Sequence, residues 1–370
     1  MPETPSRFAW PLRRRMPPGP DGSAEDIAVQ DVAEREAADR QLPPPEPEPL
    51  VDPPPRFNLA MFRLAALGLA LVLAVALAMV RVFVGGPPSV AELRAESGVD
   101  SWTVLPIGVK DDQPGVALRD KNGVWSGFDI DIAYMIAEDL GFRRDDVRFY
   151  GMESEDRLRM QAVDLSGKRV PVKMVVASFS ITAEREAAPG VTFSQPYLFT
   201  EQSVLTLTKA KHRPVSTVRD LWGDRVCSLS TATSVKTFDP AKIDVISRNR
   251  MRECIADLRN GDVDAVSTDA AILAGFKAQS PGEFDHWDLG VEKTEAYGVN
   301  VGDNLALKKL VDLTLYRSYA DPADDRWEAA YQRNLQSESA ANKTTPIAVA
   351  QQPRVTRPPI RELPWEDVFG

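Results

Sequence analysis

The hydrophobic and polar positions fall into three regimes along the chain. Residues 64–80 read LAALGLALVLAVALAMV, seventeen positions without a charge or polar side chain, framed by Arg63 and Arg81 and extended by Val82, Phe83 and Val84. A bilayer span needs about 20 apolar residues, and flanking arginines can snorkel to the interfaces, so 57–84 is predicted to be a transmembrane helix. It starts too late for a secretory signal peptide, which occupies the first ~15–30 residues. No Cys follows it closely, which excludes a lipid-anchored lipoprotein. The expectation is an uncleaved anchor.

Beyond about residue 100 the pattern becomes strand–helix alternation. Val104–Val109 is a short apolar run, read as a buried strand. Phe128–Leu140 places Ile132, Ile136 and Leu140 at i, i+4 spacing, an amphipathic helix closed by Gly141. Val147–Tyr150, Val172–Phe179, Ser203–Leu207, Arg225–Leu229, Val263–Val266 and Tyr297–Val301 read as further strands. Met251–Asn260, stopped by Gly261, and Leu305–Tyr319 read as helices. This alternation predicts an α/β fold with mainly parallel sheets. One sheet or two smaller lobes are equally compatible with it.

Composition separates the ends from this body. Of 30 prolines in 370 residues, fourteen lie in the first 56. Runs such as Pro43-Pro44-Pro45 cannot form helix interiors or central strands, so 1–56 is expected to be a disordered arm. Residues 85–100, opened by Gly85-Gly86-Pro87-Pro88, are expected to be a linker. Residues 337–370, with five more prolines, are expected to be a disordered tail. Arg13-Arg14-Arg15, Arg56 and Arg63 against Arg81 place the N-terminus in the cytoplasm. The net charge of −10 argues against general nucleic-acid binding. Two histidines, His212 and His286, leave little for His-based catalysis or a zinc site, and no cofactor or metal site is expected. Asp321, Asp324 and Asp325 suggest capping of the next helix rather than calcium ligation.

Three stretches carry a resemblance. Gly127-Phe128-Asp129-Ile130-Asp131-Ile132-Ala133, then Ser180-Ile181-Thr182-Ala183-Glu184-Arg185 followed by Phe193-Ser194-Gln195-Pro196-Tyr197, then Gly261-Asp262-Val263-Asp264-Ala265-Val266-Ser267-Thr268-Asp269 occur in order. Residues 101–336 resemble the family 3 bacterial extracellular solute-binding proteins, the polar amino-acid receptors of ABC importers. Asp112-Gln113-Pro114-Gly115 and the surroundings of the two cysteines are most similar to actinobacterial glutamate- and glutamine-binding members.

The resemblance implies two α/β lobes of a periplasmic-binding-protein fold, 101–202 plus 302–336 and 203–301, joined by crossover strands at about 203–208 and 296–301. It implies a disulfide between Cys227 and Cys254. It makes Arg185 the clamp on an α-carboxylate, which a planar bidentate donor suits. Ser180 assists, Ser178 offers a backbone contact to the ammonium, and Asp269 is the ammonium's anionic partner. Thr231 and Thr233 meet the carboxylate from the second lobe. Lys110 and Arg157, with Ser154, hold a side-chain carboxylate, which favours glutamate or aspartate over glutamine. The bland alternatives are ion pairs of Arg185 with Glu184 or Glu186, Arg157 with Glu153, and Lys110 with Asp111 or Asp112. For Asp269 the alternative is a helix N-cap, and for Ser230–Ser234 an ordinary loop. The chain departs from the family in having no aromatic residue at Asp111–Pro114 and a serine at 178 where many members have glycine. The implied role is delivery to an ABC importer. Related actinobacterial proteins are linked to a cytoplasmic serine/threonine kinase, which makes a sensor the alternative. No nucleophile–histidine pair is visible, and an enzyme is not expected.

Overall fold

The structure, a computed structural model, describes residues 59–83, 86–290, 294–336, 339–340, 342 and 346–361. The Pro-rich arm and the aromatic end 362–370 lie outside the described residues. Two compact units are distinguished, Met1–Leu69 and Ala70–Gly370.

Helix α1 (Leu59–Phe83) contains the apolar run, and its 22 residues Leu59–Val80 have a mean hydropathy of 2.4. At 1.5 Å per residue that stretch is about 33 Å long, enough to cross a hydrocarbon core of about 30 Å.

The expected linker is instead partly helical. In α2 (Val90–Ser97), Ser89 Oγ accepts from the Glu92 amide and the Glu92 carboxylate accepts from the Ser89 amide. This capping box satisfies two donors that the helix cannot. Leu93 is buried, and α2 packs against α7 (Leu305–Ala320) of the body.

The first lobe begins with β1 (Leu105–Val109). A three-stranded meander follows: β2 (Asp112–Gln113), β3 (Ala117–Arg119) and β4 (Trp125–Ser126). Helix α3 (Phe128–Asp139) leads to β5 (Val147–Gly151), β6 (Gln161–Val163), β7 (Arg169–Pro171) and β8 (Met174–Val175). The sheet order is β7-β6-β5-β1-β8, with β1 parallel to β5 and β8. The strand expected over 172–179 pairs with β1 only at β8. Ser178 adopts φ +44°, and that left-handed residue bends the chain out of the sheet. The short helix α4 (Ala183–Glu186) follows.

Two strands cross between the lobes: β9 (Leu198–Thr200) and, returning, β15 (Glu295–Tyr297), paired antiparallel. The crossovers therefore lie at 198–200, ahead of the expected 203–208, and at 295–297, overlapping the start of the expected 296–301. The reason is β10 (Gln202–Leu207), every residue of which is buried. A strand covered on both faces belongs inside a sheet, and β10 sits between β13 and β14 in the second lobe. That lobe comprises β11 (Arg225–Leu229), β12 (Asp244–Arg248), α5 (Met251–Asn260), β13 (Ala265–Asp269), α6 (Ala270–Gln279) and β14 (Phe284–Asp288), in sheet order β12-β11-β13-β10-β14. Its pairings are mixed rather than mainly parallel, since β10 runs antiparallel to both neighbours. Cys227 on β11 and Cys254 on α5 are disulfide-bonded.

Helices α7 and α8 (Arg326–Tyr331) return to the first lobe. Trp327 Nε1 donates to the Tyr197 carbonyl (2.8 Å) and its ring stacks on Tyr331. The Asp324 carboxylate pairs with Arg326 (2.6 Å), and Asp321 accepts from the Ala323 amide (2.9 Å).

Residues 346–361 correct the expectation of a disordered tail. Ile347, Val355 and Ile360 are buried. Thr200 Oγ1 donates to the Ile347 carbonyl (2.6 Å) and the Val349 amide to the Phe199 carbonyl (2.9 Å), so the segment lies along hinge strand β9. It then exchanges hydrogen bonds with Gln195 through Thr356 and ends with the Arg361 amide on the Pro88 carbonyl, beside α2. Prolines rule out a ladder strand, not extended chain that buries spaced apolar side chains.

Candidate functional site

The residues singled out in the sequence sit on the facing edges of the two lobes. Arg157 closes a 3₁₀ turn (Ser154–Arg157) after β5. Ser178 and Ser180 follow β8, and Arg185 lies in α4, whose N-cap Thr182 accepts from the Arg185 amide (3.2 Å). From the other lobe come Thr231 and Thr233 after β11 and Asp269 at the end of β13.

Arg157, Ser178, Ser180, Arg185, Thr233 and Asp269 converge on one cavity of about 10 Å³. That is room for about one water. Two guanidinium groups, of Arg157 and Arg185, line it. Arg185 Nη1 donates to the Ser180 carbonyl and Nη2 to the Thr231 carbonyl of the opposite lobe, both at 2.7 Å. Arg157 donates to the carbonyls of Ser154 (3.0 Å), Ala177 (3.3 Å) and Ser178 (3.0 Å), and to Thr231 Oγ1 (3.3 Å). The Phe179 ring lies 4.6 Å from the Arg157 guanidinium carbon and 4.8 Å from that of Arg185. It gives the site the aromatic face that Asp111–Pro114 lacks.

Lys110 and Ser154 are not in the cavity wall. They stand behind it: Lys110 Nζ donates to Ser154 Oγ (3.1 Å), and the Ser154 carbonyl takes Arg157 Nε. Burial pulls the Lys110 ammonium down to about 8, opposed chiefly by the charge of Asp112. Burial also lowers the Arg157 guanidinium, and Arg185 lowers it further.

Two of the alternative partners are engaged elsewhere. Glu184 pairs with Lys236 and Asp111 with Arg250 (2.8 Å). Asp269 stands at the N-cap position of α6 but its side chain caps nothing. Tyr297 Oη donates to its Oδ2 instead (2.5 Å). Burial pushes the Asp269 carboxyl up to about 7, with the charge of Glu295 adding to the effect and Tyr297, Arg185 and Arg157 opposing it.

Sequence reasoning missed the groups that hold this arrangement. Asp129, fully buried at the start of α3, accepts from the Ser178 amide (2.7 Å) and from Tyr197 Oη (2.8 Å). Gln113 Oε1 accepts from Ser178 Oγ (2.9 Å). Together they hold the left-handed turn that presents the Ser178 carbonyl to Arg157. The Gly127–Ala133 motif contained Asp129, but a motif does not say which residue 49 positions away it will meet.

The lobes meet directly around the cavity. Arg250 of the second lobe pairs with Asp111 and reaches Glu153 (3.7 Å), and the Arg252 amide donates to Asp112 (3.0 Å). Closest is Gly275 of α6, where an added Cβ would lie 2.0 Å from the Pro114 carbonyl oxygen. Backbone cannot yield to that overlap, so Gly275→Ala is expected to keep the lobes apart while each lobe folds normally. Small-angle scattering at saturating ligand should show a larger radius of gyration than wild type, with an unchanged melting temperature before ligand is added. Full compaction of the variant would contradict this.

This two-lobed architecture and its facing edges have known counterparts. The sequence model of the bacterial extracellular solute-binding proteins, family 3, matches residues 105–275. The glutamate-binding protein GluB of Corynebacterium efficiens is 31% identical over 234 residues, covering 60% of this chain and 76% of that protein. The ABC transporter glutamine-binding protein GlnH of Bacillus subtilis is 27% identical, covering 69% and 92%. Among solved structures, the solute receptor for L-cysteine of Neisseria gonorrhoeae superposes with a TM-score of 0.58 at 24% identity, covering 72% of this chain and all of that one. With the motifs of both lobes inside the matched region, and a relative of this similarity aligned over three quarters of its length, the chain belongs to the bacterial extracellular solute-binding proteins, family 3.

Proposed function

We propose that this protein is a membrane-anchored, extracytoplasmic receptor that closes its lobes on an acidic amino acid, glutamate or aspartate, and serves an ABC importer. One observation carries the choice of ligand: Lys110, Arg157 and Arg185 are drawn together by the fold, yet among the described residues their hydrogen bonds go to hydroxyl and carbonyl oxygens and none to a carboxylate. Lys110 and Arg157 are buried and Arg185 half-buried, and the acids whose charges act on them, Asp112 and Asp269, make no hydrogen bond to them among the described residues; such desolvated charge is costly. A ligand with two carboxylates and one ammonium answers that charge pattern. Arg185 takes the α-carboxylate, Asp269 the ammonium, and Arg157 with Lys110 the side-chain carboxylate. Glutamine would bring no negative charge to the last two cations. The names of the Corynebacterium and Bacillus relatives support an amino acid of this size and leave glutamate and glutamine as the contenders. The apolar helix α1 is the anchor in this reading, and the arginines on its N-terminal side favour a cytoplasmic N-terminus.

Side-chain substitution tests the assignment. Arg157→Ala is expected to weaken glutamate by about ten- to a hundredfold, one charge-assisted hydrogen bond being worth ~1.5–3 kcal/mol, and Lys110→Ala, which removes the positive charge behind the cavity wall, to weaken it less. Glutamine affinity should change far less. Equal losses for both ligands would refute the split.

A second reading is a sensor that reports occupancy to a membrane or kinase partner. The segment 346–361 favours it, because it runs from hinge strand β9 to α2, which begins seven residues after α1 ends. Deleting the gene should abolish glutamate uptake if the protein serves an importer. Normal uptake with lost downstream phosphorylation would establish the sensor instead.

A further inference from the structure

Beside the mouth of the cleft lies a larger hollow of about 530 Å³, lined by Trp125, Phe149 and Tyr150 together with Arg119, Arg148 and Arg250. Its volume and its aromatic lining with a few charged groups match the anatomy of small-molecule sites. The Trp125 and Phe149 rings are 5.9 Å apart between centroids and tilted by 54°.

The charged groups differ in what already engages them. Arg148 bonds the Val147 carbonyl (3.1 Å), and Arg250 is paired with Asp111. Asp164, also in the wall, accepts from Ser166 and the Lys168 amide. Arg119 is different. Its Nε is buried with no hydrogen-bond partner among the described residues, and its guanidinium carbon lies 5.6 Å from the Trp125 ring centroid. A buried N–H left unpaired is a standing cost that an anion removes, and the aromatic rings beside it offer a stacking surface.

We propose that this hollow is a second ligand site, taking an aromatic carboxylate whose ring lies against Trp125 and Phe149 and whose carboxylate pairs with Arg119. Arg250 belongs to the second lobe and the other lining residues to the first, so the site is complete only when the lobes are together. A ligand there favours the closed state and, by linkage, tightens the cleft for its own ligand.

The test uses the full chain in lipid nanodiscs with 2-naphthoate as probe and 2-naphthamide as its uncharged counterpart, titrated by calorimetry without any amino acid. Saturable one-site binding of 2-naphthoate is expected, with 2-naphthamide weaker by about tenfold or more. Arg119→Leu should cost a similar factor, and Trp125→Ala should weaken the probe while Arg119→Leu alone still binds glutamate as wild type does. Absence of saturable binding would overturn the proposal. So would equal binding of the amide, wild-type affinity in both variants, or competitive displacement of the probe by glutamate. Saturating probe should tighten glutamate severalfold. This last arm alone rests on the amino-acid reading, and the direct titrations stand without it.

Discussion

Replacing Arg185 with alanine is expected to lower the affinity for every amino-acid ligand by at least about a hundredfold. The guanidinium sits between Phe179 and the cavity, with its two Nη groups already aligned on the Ser180 and Thr231 carbonyls. The planar guanidinium fork, held in place by these two carbonyls, is the donor type that a carboxylate takes in a bidentate contact. Two charge-assisted hydrogen bonds at ~1.5–3 kcal/mol each amount to about 3–6 kcal/mol, and each 1.4 kcal/mol is about tenfold in affinity. The α-carboxylate is common to all amino acids, so the loss must be general. Arg185→Lys should recover little, since an ammonium lacks the planar fork. Stability gives an independent control. Arg185 is half-buried and hydrogen-bonded to carbonyls rather than to acids, so its removal should not lower the melting temperature. Calorimetric titration and thermal melts of the variant check both statements. Near-normal affinity for any amino acid would remove Arg185 from the role of clamp.

Affinity is also expected to depend on pH in a definite direction. Ligand ammonium needs Asp269 ionised, and burial raises that carboxyl to about 7. Below that pH the group is protonated and neutral, so binding must first remove a proton. Affinity should therefore fall as pH drops through 7, approaching tenfold per unit, and binding near pH 6 should release a proton to the buffer. Above about 8 a second limb is expected for acidic ligands alone, as the buried Lys110 ammonium loses its charge. The acidic-ligand profile should thus be bell-shaped with its maximum between about 7 and 8. Asp269→Asn should flatten the acid limb and Lys110→Ala the alkaline one. Asp129 is raised to about 7 as well, but it holds Ser178 from inside the first lobe. An acid limb that persists unchanged in Asp269→Asn would move the titration to Asp129.

What the sequence revealed, and what it hid, follows from the range of the interactions involved. Strand–helix alternation and the glycine-closed helices were legible because they are local. Arg185 and Asp269 could be picked out because each stands in a short motif next to a strand end. The Ser89–Glu92 capping box was equally local and was overlooked because Gly85-Gly86-Pro87-Pro88 just before it suggests a tether. Other features are not local. The place of β10 inside a sheet depends on β13 and β14, more than 60 residues away. The left-handed Ser178 depends on Asp129 and Gln113, 49 and 65 residues earlier. The packing of 346–361 depends on apolar contacts and hinge carbonyls that proline content cannot report.

The most direct measurement is calorimetry of the full chain against glutamate, aspartate, glutamine and asparagine under identical conditions at pH 7.5. The cations Lys110, Arg157 and Arg185 predict that the acidic pair binds tighter than the amides by about tenfold or more, one charge-assisted hydrogen bond from Arg157 sufficing for that factor. Glutamine bound tenfold tighter than glutamate would contradict it.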